Sequence, residues 1–103
     1  MPVVTPAPEP TRPALRHNVA DSRYEAWVDD KLAGFAEYSD ASGVLLFTHT
    51  EVDPDFGGQG IGSALARFGL DDARERGAAV VPLCSFIARW IDRHPDYADL
   101  VRR

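Results

Sequence analysis

The chain is poor in the residues on which several kinds of protein depend. It has one cysteine, Cys84, so no disulfide can form within it, and a reducing cytoplasm is the expected compartment. Lys31 is its only lysine; eleven basic residues stand against sixteen acidic ones, for a net charge of −5. A nucleic-acid binder needs a basic face for the phosphate backbone, so nucleic acid is not expected as the main partner. A cationic substrate such as an amine is compatible with that charge. No stretch approaches the ~20 apolar residues of a membrane span. The opening MPVVTPAPEPTRPAL has neither the basic start nor the apolar run of a signal peptide. Three histidines and one cysteine show no metal-ligand spacing, and no metal site is expected.

What is present suits one soluble globular domain with a modest core: 103 residues, 45% hydrophobic and 26% charged. Five of the eight prolines fall within residues 2–13, which predicts a flexible tail over 1–14 and a folded domain over 15–103. SRYEAWVD (22–29), LAGFAEYS (32–39) and VLLFTHTEV (44–52) read as strands joined by the short turns DDK and DASG. Together they predict an antiparallel three-stranded meander. Residues 60–76 read as a helix with Ser63, Arg67, Asp71 and Arg74 on its wet face and Gly77 as its stop. AAVVPLC (78–84) is a short buried strand. SFIARWIDR (85–93) is a second helix, with Ser85 as its expected N-cap, and a final turn follows through DYADLV. The order β-β-β-α-β-α contains one strand–helix–strand crossover, which makes 44–52 and 78–84 parallel neighbours in an α+β (α/β) fold.

The segment DFGGQGIGSAL (55–65) crowds glycines at the mouth of the first helix. Glycine there leaves the unpaired amides of the first helical turn bare, and the helix dipole adds positive potential, which makes a site for phosphate. The dinucleotide fingerprint G-x-G-x-x-G fails because position 63 is Ser, and a Walker loop fails because no lysine follows. Gly57-Gly58-Gln59-Gly60-Ile61-Gly62 resembles instead the coenzyme A loop of the GNAT acyltransferase superfamily, [QR]-x-x-G-x-[GA], with Gly57 standing where Gln or Arg is usual. The similarity extends over roughly residues 15–101 to the compact branch of that superfamily. A T-E-V strand end (50–52), the glycine loop, a P-x-C-S segment (82–85) and an H-P-[DE]-Y segment (94–97) occur in order.

This resemblance implies an acetyl-coenzyme A-dependent N-acetyltransferase. Acetyl-coenzyme A would be the co-substrate, and an amine or basic peptide the acceptor. It implies that Gly57, Gly58, Gln59, Gly60, Ile61, Gly62 and Ser63 hold the pyrophosphate, and that backbone at Glu51 and Val52 flanks the pantetheine and acetyl group. The first hairpin connection is too short for the two helices found there in full-length members, which implies a trimmed acceptor region. Cys84, at a strand end before a helix, has the setting that lowers a thiol pKa. It could serve as nucleophile, as general acid to the departing thiolate, or as a structural thiol. His49 and Glu51 alternate on one strand face, and either could accept the amine proton directly or through water. Arg89 and Arg93, four apart, could reach phosphates. Trp27, Phe86 and Trp90 read most simply as core, and His94 and Tyr97 as capping and packing. The competing readings are a catalytically idle acyl-coenzyme A-binding module and an interaction domain that uses the proline tail.

Overall fold

The computed structural model describes residues 12–102. Nearly all of the expected tail falls on residues 1–11, outside the described residues. Ala14, expected at the end of that tail, opens a strand instead. The elements are β1 (Ala14–Asn18), β2 (Arg23–Val28), β3 (Lys31–Asp40), β4 (Val44–Val52), a 3-10 turn (Pro54–Phe56), α1 (Ile61–Glu75), β5 (Ala79–Pro82), α2 (Ser85–Arg93) and a closing 3-10 segment (Pro95–Leu100). They form one sheet in the order β1-β2-β3-β4-β5. It is antiparallel through β4 and parallel between β4 and β5.

The meander therefore has four strands and not three. The extra strand, β1, is an edge whose first three residues are exposed, so no apolar alternation marks it in the sequence. It is held by pairing with β2 from Ala14↔Trp27 to Asn18↔Arg23, and by Asn18, which donates to Asp21 and Glu25. The next two hairpins turn through Asp29-Asp30 and Ser42-Gly43. All four of these residues have positive φ, the geometry that matches strand twist in two-residue loops.

Both helices lie against one face of the sheet, and their apolar stripes supply eight of the nineteen buried apolar side chains among the described residues. Tyr24, Leu45, Phe47, Ile61, Leu65, Leu70, Val80 and Ile87 are fully buried between the layers. Gly69 is required by close approach: a Cβ there would stand 2.9 Å from the Phe47 ring and 3.1 Å from Tyr24. Asp72, set among the buried side of α1, is explained by its partners. It accepts from the Tyr24 hydroxyl at 2.7 Å and from Arg76 at 2.8 Å. The C-terminal segment straps the domain: Tyr97 donates to Asp71, Arg74 grips Asp99, and Arg102 N–H bonds to Val80 O beside β5.

No described helix covers the other sheet face, as an antiparallel sheet permits. It carries Arg16 over Trp27 and Arg23 over Phe35. Beneath them Glu25 is only 3% exposed and is satisfied by Asn18, Arg23 and Trp27. Burial opposes its charge, yet these donors outweigh burial and hold its carboxyl below the usual range. Trp27 is thus half-buried on the open face and does not belong to the core between the layers.

Candidate active site

β4 carries a bulge. Glu37 pairs with His49 and Tyr38 with Phe47, so Thr48 is an extra residue. The bulge divides the strand into two phases. Before it, Leu45 and Phe47 face the helices. After it, Thr50 and Val52, opposite Ala36 and Gly34, face the helices, while His49 and Glu51, opposite Glu37 and Phe35, face the open side. Gly34 is fixed from both sides, since a Cβ there would meet Glu51 O at 2.7 Å and Ile61 at 3.1 Å.

β5 keeps company with β4 only as far as Phe47↔Pro82. Proline has no N–H to extend the ladder, and the chain turns away. Cys84 N–H still bonds to Phe47 O at 2.8 Å, and then α2 begins. Beyond that rung the two strands diverge. A groove of about 430 Å³ lies there, lined by Val52, Phe56, the loop from Gly57 to Ser63 except Gln59, and Phe86, Trp90, Arg93 and His94 of α2 and its end.

The glycine loop forms one end of the groove. Gly58 and Gly60 have φ of 76° and 78°, left-handed values that favour glycine, and Gly60 is the N-cap of α1. A Cβ at either would meet nothing within 4 Å, so the space in front of their backbone is open. The first-turn amides of Ile61, Gly62 and Ser63 have no partner inside the helix. Gly62 serves a different purpose, because a Cβ there would come within 2.7 Å of the Phe86 ring. The Ser63 hydroxyl accepts from Trp90 Nε1 at 2.8 Å, which pins α1 to α2 and leaves its amide for a ligand. Gln59 is exposed at the loop tip. Open backbone, bare amides and left-handed glycines together fit the diphosphate of coenzyme A.

The thiol lies at the same split. Cys84, not Ser85, is the N-cap of α2. Its sulfur is hydrogen-bonded to Thr50 Oγ1 at 3.5 Å and faces the amides of Phe86 and Ile87 without closing a capping bond. Burial acts to raise its pKa. The Thr50 hydroxyl and the amides of Ile87, Phe86 and Thr50 outweigh burial, and the net direction is down from the ordinary thiol value. The alkylation rate of Cys84 should therefore titrate with a midpoint below that of a free thiol, and Thr50→Val should move the midpoint upward. A wild-type midpoint at or above the free-thiol value would contradict this geometry.

The three candidate catalytic residues are not gathered on one side. Cys84 and Thr50 are on the helix side, whereas His49 and Glu51 are exposed on the open side, with His49 Nε2 3.5 Å from Glu51 Oε2. Glu51 also borders a shallow pocket of about 260 Å³ with Gly34, Phe35, Asp53 and Pro54. His94 packs as expected: it stacks on Trp90 at 3.7 Å and its Nδ1 meets Trp90 O at 2.7 Å. Phe86 is not core, being 40% exposed beside the loop. Thr50 and Phe86 are the site residues that the sequence concealed. The i, i+4 spacing of Phe86 and Trp90 carries the signal for the second, because Ser63 and Gly62 lie opposite that stripe.

A mixed sheet split beside a glycine-opened helix, with a thiol at the split, is the arrangement of an acyltransferase. Residues 23–100 match the family described as GCN5-related N-acetyl-transferase. The chain belongs to that family, as the loop, strand-end and cysteine motifs implied. Among solved structures, the fold is similar to the NMR solution structure of a GCN5-like protein from Staphylococcus aureus. The TM-score is 0.68 and the identity 20%, over 86% of this chain and 87% of that one. No match was found among curated proteins. No described helix is long and apolar enough to cross a membrane.

Proposed function

We propose that the protein transfers an acetyl group from acetyl-coenzyme A to an amine. The donor would lie in the groove between α1 and α2, and the acceptor would arrive from the open sheet face past Glu51 and His49. The observation that carries this reading is the placement of two features near the β4–β5 split: open backbone at Gly58 and Gly60, which line the groove, and the Cys84 thiol of lowered pKa, which stands at the start of the helix whose Phe86, Trp90 and Arg93 line the same groove. When bound, acetyl-coenzyme A supplies the thioester, whose C–S bond breaks as the amine nitrogen bonds to the acetyl carbon.

The chain's own groups account for the protons. Glu51, exposed and beside the acidic rim formed with Asp53, attracts a cationic amine and accepts the proton that the nitrogen must lose. Cys84 lies on the donor side, where a proton is needed by the departing thiolate. A thiol with lowered pKa gives up its proton more readily than an ordinary one and regains it from solvent. Its thiolate form is also the better nucleophile, so a covalent route through Sγ uses the same features. A backbone N–H beside Val52 would polarise the thioester carbonyl.

The experiment is to incubate the protein with acetyl-coenzyme A and a panel of amines and lysine-containing peptides, following free coenzyme A and acetylated product by mass spectrometry. Product from at least one amine supports the transferase reading. A rise in melting temperature with coenzyme A but no product from any amine would favour the idle binding module. No rise and no product would remove both. An acetyl-sized mass gain on Cys84 without acceptor would assign the covalent route.

A further inference from the structure

The donor groove does not end at Trp90. A second cavity, of about 230 Å³, continues from it over the outer face of α2 and is lined by Phe86, Arg89, Trp90 and Arg93. Three of those residues also line the groove, so the two spaces are contiguous.

Its charge is out of keeping with the rest of the molecule. Acidic residues outnumber basic ones by sixteen to eleven, and Arg23, Arg74 and Arg76 each hold a carboxylate at 2.7–2.9 Å. Arg89 and Arg93 are in no ion pair among the described residues. Arg89 reaches only the neutral oxygens of Ser85, at 3.4 and 3.5 Å. The two guanidinium groups are exposed and one helical turn apart, on the same face. Arg67 adds a third cation nearby, 5.3 Å from the centre of the Trp90 ring. A helix dipole favours a cation in the last turn, which accounts for Arg93 but not for Arg89. Between the arginines and the glycine loop stands Phe86. One side of its ring abuts Gly62 in the first turn of α1, and 40% of the residue is exposed.

A planar apolar surface next to two unpaired arginines, reached from a diphosphate site, matches the adenosine 3′-phosphate end of coenzyme A. We infer that Phe86, Arg89 and Arg93 form the subsite for that end, with the base against Phe86 and the 3′-phosphate held by the two guanidinium groups. The inference rests on the proposed donor reading and makes it more specific: the protein selects a 3′-phosphorylated coenzyme over its dephosphorylated form.

Calorimetric titration with coenzyme A and with 3′-dephospho-coenzyme A at low ionic strength tests it. Charge-assisted contacts to a phosphate should make coenzyme A bind about tenfold tighter. Added salt should shrink that ratio, since both arginines are exposed. In Arg89→Ala/Arg93→Ala the ratio should fall to about one, with dephospho-coenzyme A affinity within about twofold of wild type and melting without ligand unchanged. Equal affinities in wild type would overturn the subsite and leave the diphosphate cradle standing. A preference that survives in the double variant would also overturn it. Failure of both coenzymes to bind wild type would overturn the donor reading and this inference together.

Discussion

Cys84→Ala should lower turnover about a hundredfold, the lower end of what a positioned proton-transfer group supplies, while coenzyme A affinity stays within about twofold. The separation follows from where the sulfur lies. The proposed diphosphate contacts are made by backbone from Gly58 to Ser63, in the loop and first turn of α1, whereas Cys84 opens α2 beside Thr50. The backbone bond from Cys84 N to Phe47 O is kept in the variant, so the split between β4 and β5 persists. Steady-state rates and calorimetry on the same preparation check both halves. Unchanged turnover would remove Cys84 from the mechanism. Cys84→Ser refines the result, because a hydroxyl fills nearly the same space but does not ionise near neutral pH. Serine as impaired as alanine means that the proton or lone pair of sulfur is used. Serine close to wild type means that only its shape matters.

Phe47→Ala should cost about 3–5 kcal/mol, the usual price of deleting a fully buried aromatic ring. Against a total of about 5–15 kcal/mol for such a domain, this is a large share. With roughly 4–8 °C per kcal/mol, the melting temperature should fall by more than about 12 °C. Phe47 is 0% exposed, its ring rests on Gly69, and it stacks with Tyr24 at 6.0 Å. It also makes the last β4–β5 rung and accepts the Cys84 amide, so the cavity would open directly beneath the site. A thermal scan decides the matter. A fall of less than about 5 °C would show that neighbouring rings had closed the space.

The parts of the fold that were legible from sequence are those in which one local rule dominates. VLLFTHTEV reads as a strand because β-branched and aromatic residues fill it, and β4 spans those residues. The helix at Ile61–Glu75 and the stop at Gly77 follow from periodicity and a left-handed glycine. β1 was hidden because its stability comes from a partner strand and from Asn18 reaching Glu25, neither of which leaves a local pattern. Phe86 reads as core because an apolar side chain beside Ile87 is ordinarily buried; its i, i+4 spacing to Trp90 is a local hint, and the position of Gly62 shows what that stripe faces. The burial of Glu25 depends on three donors arriving from β1 and β2. The partnership of Thr50 with Cys84 joins residues 34 apart in the chain and depends on an irregularity in β4 that composition does not encode.

The extra residue at Thr48 makes β4 a strand with two parities. Odd-numbered positions point to the helices up to Phe47, and even-numbered ones do so from Thr50 onward. Pairing Thr48 regularly, at the present length of the strand, would impose a single alternation: Glu51 would turn toward the helices and Thr50 would be lost to the thiol, while Leu45 and Phe47 kept their places. Deleting Thr48 would instead leave Thr50 and Glu51 on their present sides. The bulge is thus what lets a strand of this length present Phe47 and Thr50 to one face and His49 and Glu51 to the other.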